Sequence, residues 1–159
     1  MRVAIITVSS SRARGAGGDE SGDRLESLAR DLGAEIAARE IVTDDRELIE
    51  QRLRHFSDED ACALILTTGG TGVAPSDVTP EATRAVIERD VPGIAEAMRE
   101  ASRAHTRHWM LSRGVAGIRG GTLIVNFPGS PRAISQVGAA IAEALPHALA
   151  LIAGQPSEH

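Results

Sequence analysis

ALILTTGGTGVAPSDVTPEAT, residues 63–83, holds a strand, a turn and the start of a helix in one run. Ala63-Leu64-Ile65-Leu66 is apolar without alternation, the pattern of a strand covered on both faces. The run stops at Thr67-Thr68. Gly69-Gly70-Thr71-Gly72 follows, a turn whose glycines reach positive φ and leave no side chain between the backbone and a bound group. Thr79-Pro80-Glu81 then reads as N-cap, first helical position and acidic first turn. Glycine-rich backbone leading from a strand into a helix start offers amides and a positive dipole end, which suits an anion.

The same alternation extends outward in both directions. Val3 to Val8 reads as a central parallel strand, Ile36 to Val42 as a weaker one, and Ser9 to Gly22 as a polar loop between them. Asp23 with Glu26 makes a possible capping box for a helix carrying Leu25, Leu28, Ala29 and Leu32, with Gly33 as its stop. Asp44 with Glu47 makes a second, opening a helix whose apolar stripe is Leu48, Ile49, Leu53 and Phe56. Past the glycine-rich turn a helix is expected from Pro80 to about Asp90, and another after Pro92-Gly93 with Ile94, Ala97, Met98 and Ala101 on one side. Trp109-Met110-Leu111 and Val115 to Ile118 read as short strands around Ser112-Arg113-Gly114, a small β appendage. Thr122 to Asn126 is the last strand. A helix from about Arg132 carries Ile134, Val137, Ile141 and Leu145, kinked or restarted at Pro146, and residues 155–159 read as a tail.

This order predicts an α/β fold: a three-layer, mostly parallel sheet with helices on both faces. Ligands of such sheets bind at the carboxyl ends of strands. Ser9, Asp44 and Gly69 each follow a predicted strand, so the three are expected to meet at one rim.

Composition narrows the function. At 159 residues the chain suits one domain with a full core. A net charge of −5, with Phe56, Trp109 and Phe127 as the aromatic residues, argues against a nucleic-acid platform. Cys62 is the single cysteine, so no internal disulfide forms, and it reads as a small buried hydrophobe. Neither a leader sequence nor a membrane span is legible, and the expected location is cytoplasmic, away from membranes.

Several residue types point to phosphate chemistry. The turn is not a Walker A loop, since no Gly-Lys-Ser/Thr follows, and Pro75 stands where a dinucleotide fingerprint needs a small residue. Asp77 either supports the loop as an Asx turn or binds Mg²⁺, which favours carboxylate plus substrate phosphate oxygens. For Asp44, N-capping with Glu47 accounts for the residue without any catalytic role. Pro128-Gly129-Ser130-Pro131 repeats the strand–loop–helix pattern, and Ser112 and Arg113 offer a hydroxyl and a guanidinium for a phosphate, or form a solvated turn. His105 and His108 have no third ligand in view, and no nucleophile elbow appears. Carboxylates, hydroxyls and amides suit metal-assisted phosphoryl or nucleotidyl transfer.

TTGGTG with DVTPEAT, then LSRGVAGIRG, LIVNFPGSP and ALPHAL, resemble the MogA/MoaB family of molybdenum-cofactor biosynthesis proteins, which includes the gephyrin G domain. The similarity is good from Ala61 to Ile152 and looser but collinear from Val3 to Val42. It implies a single molybdopterin-binding domain over residues 1–154 and Mg²⁺-dependent adenylylation of molybdopterin by ATP, giving adenylyl-molybdopterin and pyrophosphate. It implies a homotrimer, with a hexamer as the other possibility, and contact with other proteins of the cofactor pathway. The family's two important aspartates fall on Asp44, in IVTDDREL, and Asp77, in PSDVTPE, so Asp44 becomes more than a cap. Both become catalytic and metal-binding candidates. The nucleotide and pterin loops fall on Gly69, Gly70, Thr71, Gly72, Ser112, Arg113, Pro128, Gly129 and Ser130, with Ser9, Ser76 and Thr79 beside them. Ser76 stands where many members have Arg, Ser11-Arg12 replaces a Ser-Asp-Arg run, and Asp23 replaces a proline after Asp19-Glu20-Ser21-Gly22. These departures leave a second reading, a non-catalytic molybdopterin carrier or assembly protein.

Overall fold

The computed structural model describes residues 1–156, so the last three residues of the expected tail, 157–159, lie outside the described residues. The continuous apolar runs become the central strands β1 (Arg2–Val8), β3 (Leu64–Thr68) and β6 (Thr122–Phe127), the mixed run β2 (Glu35–Val42) becomes one edge strand, and β4 (Arg89–Asp90) and β5 (Ala116–Arg119) lie at the other edge. They form one sheet in the order β2-β1-β3-β6-β5-β4. The first four are parallel neighbours, and β5 and β4 add antiparallel pairs.

Register explains why these strands do not alternate polar and apolar. Val3, Leu64 and Leu123 lie abreast, as do Ile5, Leu66 and Val125, all facing one layer of helices. Ala4, Ile65 and Ile124 lie abreast on the opposite face. The first layer contains α2 (Glu20–Asp31), α5 (Pro92–Arg103), α6 (Pro131–Ile141) and α7 (Ala144–Ile152). The second contains α3 (Arg46–Arg54) and α4 (Thr79–Val86). Helices on both faces exclude water from every central strand, as a parallel sheet requires.

Four boundaries differ from expectation. The helix after Thr79 stops at Val86, because Ile87 is extended, Glu88 donates its amide to Ile118 and Val91 donates to Ala116. The exposed sheet edge captures that backbone as β4. Trp109–Leu111 is a 3₁₀ turn rather than a strand, so β4 and β5 alone make up the antiparallel extension. Within the polar loop Ser9 caps a single turn, α1 (Ser10–Ala13), and α2 begins at Glu20, capped by Asp19 through the Gly22 amide and not by Asp23. Pro146 sits in the first turn of α7, and the break falls before it, with α6 and α7 bent by 67°. No single helix among the described residues is long and apolar enough to cross a membrane.

A buried polar chain ties α4 to the sheet. Asn126, 3% exposed, donates to Thr67 Oγ1 (3.0 Å) and Thr83 Oγ1 (2.9 Å), and its Oδ1 accepts the Val115 amide (3.1 Å). Thr83 Oγ1 donates to the Thr79 carbonyl (2.9 Å), and Thr79 Oγ1 to the Gly69 carbonyl (2.9 Å). Every polar atom of the Asn126 side chain is therefore paired. Asn126→Leu strands the Val115 amide and removes the acceptor-donor link, at about 1–3 kcal/mol per unsatisfied buried group. We expect the melting temperature to fall by roughly 2–12 °C in a thermal melt, given about 2–4 °C per kcal/mol at this chain length; a shift of a degree or less would contradict the chain's importance.

Candidate active site

The carboxyl ends of β2, β1, β3 and β6 form one rim, about 14 Å across at the usual interstrand spacing. After β1, Ser9 donates its amide to the Val42 carbonyl (2.9 Å) and caps α1 through Arg12 (3.4 Å). Ser10 next to it donates both its amide (3.0 Å) and its hydroxyl (2.7 Å) to Asp44 Oδ2, joining the first two strand ends.

Asp44 is not the N-cap of its helix. Asp45 takes that place, with extended backbone and its Oδ1 accepting the Leu48 amide at 2.9 Å. The chain has two successive aspartates at this turn, and the second one satisfies the helix. The first is left half-buried at the rim, with Oδ1 making no hydrogen bond to protein among the described residues.

The glycine-rich turn follows β3. Gly69 (φ 94°) and Gly70 (φ 65°) are in the left-handed region. A Cβ on Gly69 would collide with the Val8 carbonyl oxygen, and one on Gly70 with Thr79 Oγ1. Thr79 does not cap α4 either; Val78 holds that position without a side-chain bond. The Thr79 hydroxyl and amide instead bond Gly69 and Gly70 carbonyls, so the residue holds the turn against the helix. Thr71 is buried and its carbonyl accepts the Arg113 amide at 2.8 Å. Asp77 forms no Asx turn; it clamps the 74–77 turn instead, its Oδ2 accepting the Ala74 amide at 2.9 Å while its own amide donates to the Ala74 carbonyl (2.9 Å), and a Cβ on Gly72 would lie 2.8 Å from the same oxygen. Asp77 Oδ1 has no protein hydrogen bond among the described residues, and Ser76 beside it is exposed.

Arg113 serves the loop rather than standing open to a phosphate. Its guanidinium donates to the Gly72 carbonyl (2.7 Å), the Asp77 carbonyl (2.8 Å) and Glu81 (2.6 Å). The hydrogen bond from Arg113, outweighing partial burial and aided by its charge, holds the Glu81 carboxyl below the usual carboxylate range. Ser112 precedes it, half-buried.

The loop after β6 completes the rim. The Pro128 carbonyl accepts the Thr68 hydroxyl (2.7 Å), the Gly129 carbonyl accepts the Ser21 hydroxyl (2.7 Å), and Ser130 caps α6 through Ala133 (3.4 Å). A Cβ on Gly129 would stand 3.5 Å from Gly69 Cα, so the two loops lie side by side with room for little more than a methyl group between them at this point. Ser10, Asp19 and Ser21 were not among the sequence candidates. Asp19 accepts the Thr7 hydroxyl (2.9 Å), the Gly22 amide (3.0 Å) and Arg39 (3.0 Å), setting the start of α2 from which Ser21 reaches Gly129. The Asp-x-Ser spacing was the only trace of this in the sequence.

Asp44 and Asp77, each with a free oxygen, form a hard-oxygen donor set beside the turn; within the turn the Gly69 amide is spent on the Phe127 carbonyl (3.3 Å), so only the amides of Gly70, Thr71 and Gly72 lack a protein acceptor among the described residues. No group of three or more His, Cys, Asp or Glu side chains among the described residues forms a metal cage. Mg²⁺ needs none, since it commonly takes one or two carboxylates and completes its shell with substrate phosphate and water. Asp44 and Asp77 fit that demand.

Fold and rim together define a three-layer α/β protein whose loops gather at the carboxyl ends of its parallel strands, where ligands of such sheets bind. Residues 4–147 match the family described as "Probable molybdopterin binding domain", MoCF_biosynth, and the chain belongs to that family. It is 38% identical over 156 residues to a protein named molybdopterin adenylyltransferase from Helicobacter pylori J99, covering 97% of this chain and 89% of that one. The Escherichia coli K12 protein of the same name is 39% identical over 139 residues, covering 86% and 71%. A crystal structure of the molybdopterin biosynthesis enzyme MoaB from Thermus thermophilus superposes with a TM-score of 0.91 at 45% identity, covering 99% of each chain. The chain spans 22% of the molybdenum cofactor synthesis protein cinnamon of Drosophila melanogaster, to which it is 43% identical over 135 residues.

The division of labour between Asp44 and Asp45 is measurable. Asp45→Ala should cost about 1 kcal/mol through loss of the cap and speed amide exchange at Leu48. Asp44→Ala should leave Leu48 protected and speed exchange at Ser10; the reverse pattern would return the cap to Asp44. The Glu81–Arg113 pair sets a pH dependence. A carboxyl whose folded pKa is depressed contributes stability above its unfolded value, near 4.5, and loses it as pH falls through the folded one. The melting-temperature gap between the native protein and Glu81→Gln should hold from pH 7 to 5 and close as the pH falls below about 4.5.

Proposed function

We propose that the protein is a molybdopterin adenylyltransferase. The terminal phosphate oxygen of molybdopterin attacks the α-phosphorus of ATP, the new P–O bond replaces the bond to the β-phosphate, and pyrophosphate leaves. The supporting observation is that two carboxylates, each with one uncommitted oxygen, flank a positive-φ glycine turn at a single rim. Relatives covering most of this chain carry that enzyme's name.

In this reading the amides of Gly70 to Gly72 hold nucleotide phosphate, with Thr79 and the Gly69–Phe127 hydrogen bond fixing the turn beneath it. Arg113 keeps the turn and Asp77 in one piece. Pro128 to Ser130, Ser112 and Ser9 line the rest of the cleft. Asp44 and Asp77 would hold Mg²⁺, which supplies charge neutralisation at the reacting phosphate. The work of these side chains is positioning, since phosphoryl-type transfers need little covalent help from protein. A cytoplasmic homotrimer is part of the same proposal, and its mass is open to sedimentation.

Asparagine variants test the carboxylates without collapsing the loops, because the amide side chain keeps one carbonyl oxygen as an acceptor. At position 77 that oxygen still accepts the Ala74 amide, and at position 44 it still accepts from Ser10. Asp77→Asn should lower pyrophosphate release from molybdopterin, ATP and Mg²⁺ by roughly 100-fold or more, with melting unchanged, and Asp44→Asn should act in the same direction. Full turnover by Asp77→Asn would remove it from the reaction. The second reading, a carrier without turnover, is favoured by neutral, exposed Ser76 and by the engagement of Arg113 with protein. Molybdopterin binding with no pyrophosphate released by the native protein would establish it.

A further inference from the structure

A cavity of about 30 Å³ lies just inside the rim, between α5, the end of β6 and the turn 112–114. Arg99, Ser102, Ser112 and Pro128 contribute to its wall, with apolar Met98 and Val137, and no carboxylate lines it. Arg99 is half-buried there. Its Nη1 donates to the Gly114 carbonyl (3.0 Å) and, more weakly, toward the Ser112 carbonyl (3.5 Å). Nε and Nη2 have no protein acceptor among the described residues, and neither do the hydroxyls of Ser102 and Ser112. The Asn126 amide beside them is fully paired.

The cavity therefore gathers a guanidinium and two hydroxyls without a matching acceptor. A guanidinium held in a partly apolar wall with idle donors lacks the compensation that water would give it at the surface. The volume suits one water or one phosphate oxygen. Two of the wall residues, Ser112 and Pro128, also belong to the rim. Of the other arginines near the rim, Arg113 is engaged with Gly72, Asp77 and Glu81 and Arg12 with the Gly18 carbonyl, while Arg132, in the first turn of α6, is exposed and lies outside this cavity's wall.

We propose that Arg99 is the phosphate-binding cation of this site, taking one oxygen of a substrate phosphate at the mouth of this cavity. The proposal rests on the adenylyltransferase reading for its ligands. Two sources share the chemistry, the monophosphate of molybdopterin and the polyphosphate of ATP.

Calorimetric titration of the native protein, Arg99→Gln and Arg99→Lys with molybdopterin, its dephosphorylated form, ATP and adenosine decides the matter. Glutamine keeps an N–H for the Gly114 carbonyl while removing the charge, so a purely structural pin survives in it. We expect Arg99→Gln to weaken one phosphate-bearing ligand roughly 10-fold or more, as loss of a charge-assisted hydrogen bond implies. The same ligand without its phosphate should bind as before, and Arg99→Lys should recover part of the loss. Loss confined to molybdopterin assigns the pterin phosphate, and loss confined to ATP assigns the nucleotide. Unchanged affinity for both, or an equal loss for the phosphate-free forms, overturns the proposal. A native protein that binds neither phosphate-bearing ligand brings down the adenylyltransferase reading and this subsite with it; binding by the native protein and Arg99→Gln alike removes the subsite alone.

Discussion

The hydrogen bonds that run from Asn126 through Thr83 and Thr79 to the Gly69 carbonyl are the constraint on which the site depends. They cross from β6 to α4 and then to the glycine-rich turn, so three elements distant in sequence share one buried polar path. In a low-dielectric interior such a path is worth keeping only if every member is paired, and here every member is. The turn is thereby held in a left-handed conformation that glycine permits but does not enforce. A loop so fixed presents its amides without reorganising, which is the condition for stabilising charge as it develops on a phosphate.

Charge is distributed to the same end. The chain is acidic overall, at −5, yet it is proposed to receive anions. It resolves the conflict by using backbone amides at strand ends and by engaging its nearby carboxylates separately. Asp45 is neutralised in effect by helix amides, Glu81 by Arg113, and Asp19 by Arg39 and the first turn of α2. Asp44 and Asp77 each keep one oxygen free. Arg113, the obvious cation in the sequence, is held by two carbonyls and a carboxylate, so its function is to keep the loop from 71 to 77 beside the 112–114 turn.

The strands and the three-layer class were legible because continuous Val, Leu and Ile runs separated by amphipathic helices admit few other folds. Helix starts were less legible. Asp44-Asp45 and Asp19 to Asp23 each offer more than one residue able to cap, and local pattern cannot say which one points along the helix axis; at Thr79-Pro80 the hydroxyl is drawn to the Gly69 carbonyl instead, leaving Val78 at the cap position with no side-chain bond. Arg89-Asp90 became a strand because unpaired groups on β5 were available to it, a fact about a neighbour almost thirty positions further along the chain.

From its own residues the sequence determined that the sheet is buried on both faces, that residues 69–72 form a permissive turn and that carboxylates, not a nucleophile, accompany it. These follow from side-chain volume, hydrophobicity and the missing Cβ of glycine, which are properties of single residues and near neighbours. Tertiary structure alone decided which aspartate is free, that Arg113 braces the loop, and that Arg99 stands beside Ser112 with donors to spare. Each of those depends on which polar groups meet across the fold, and a hydrogen bond between positions thirty to sixty apart leaves no periodic trace in the chain.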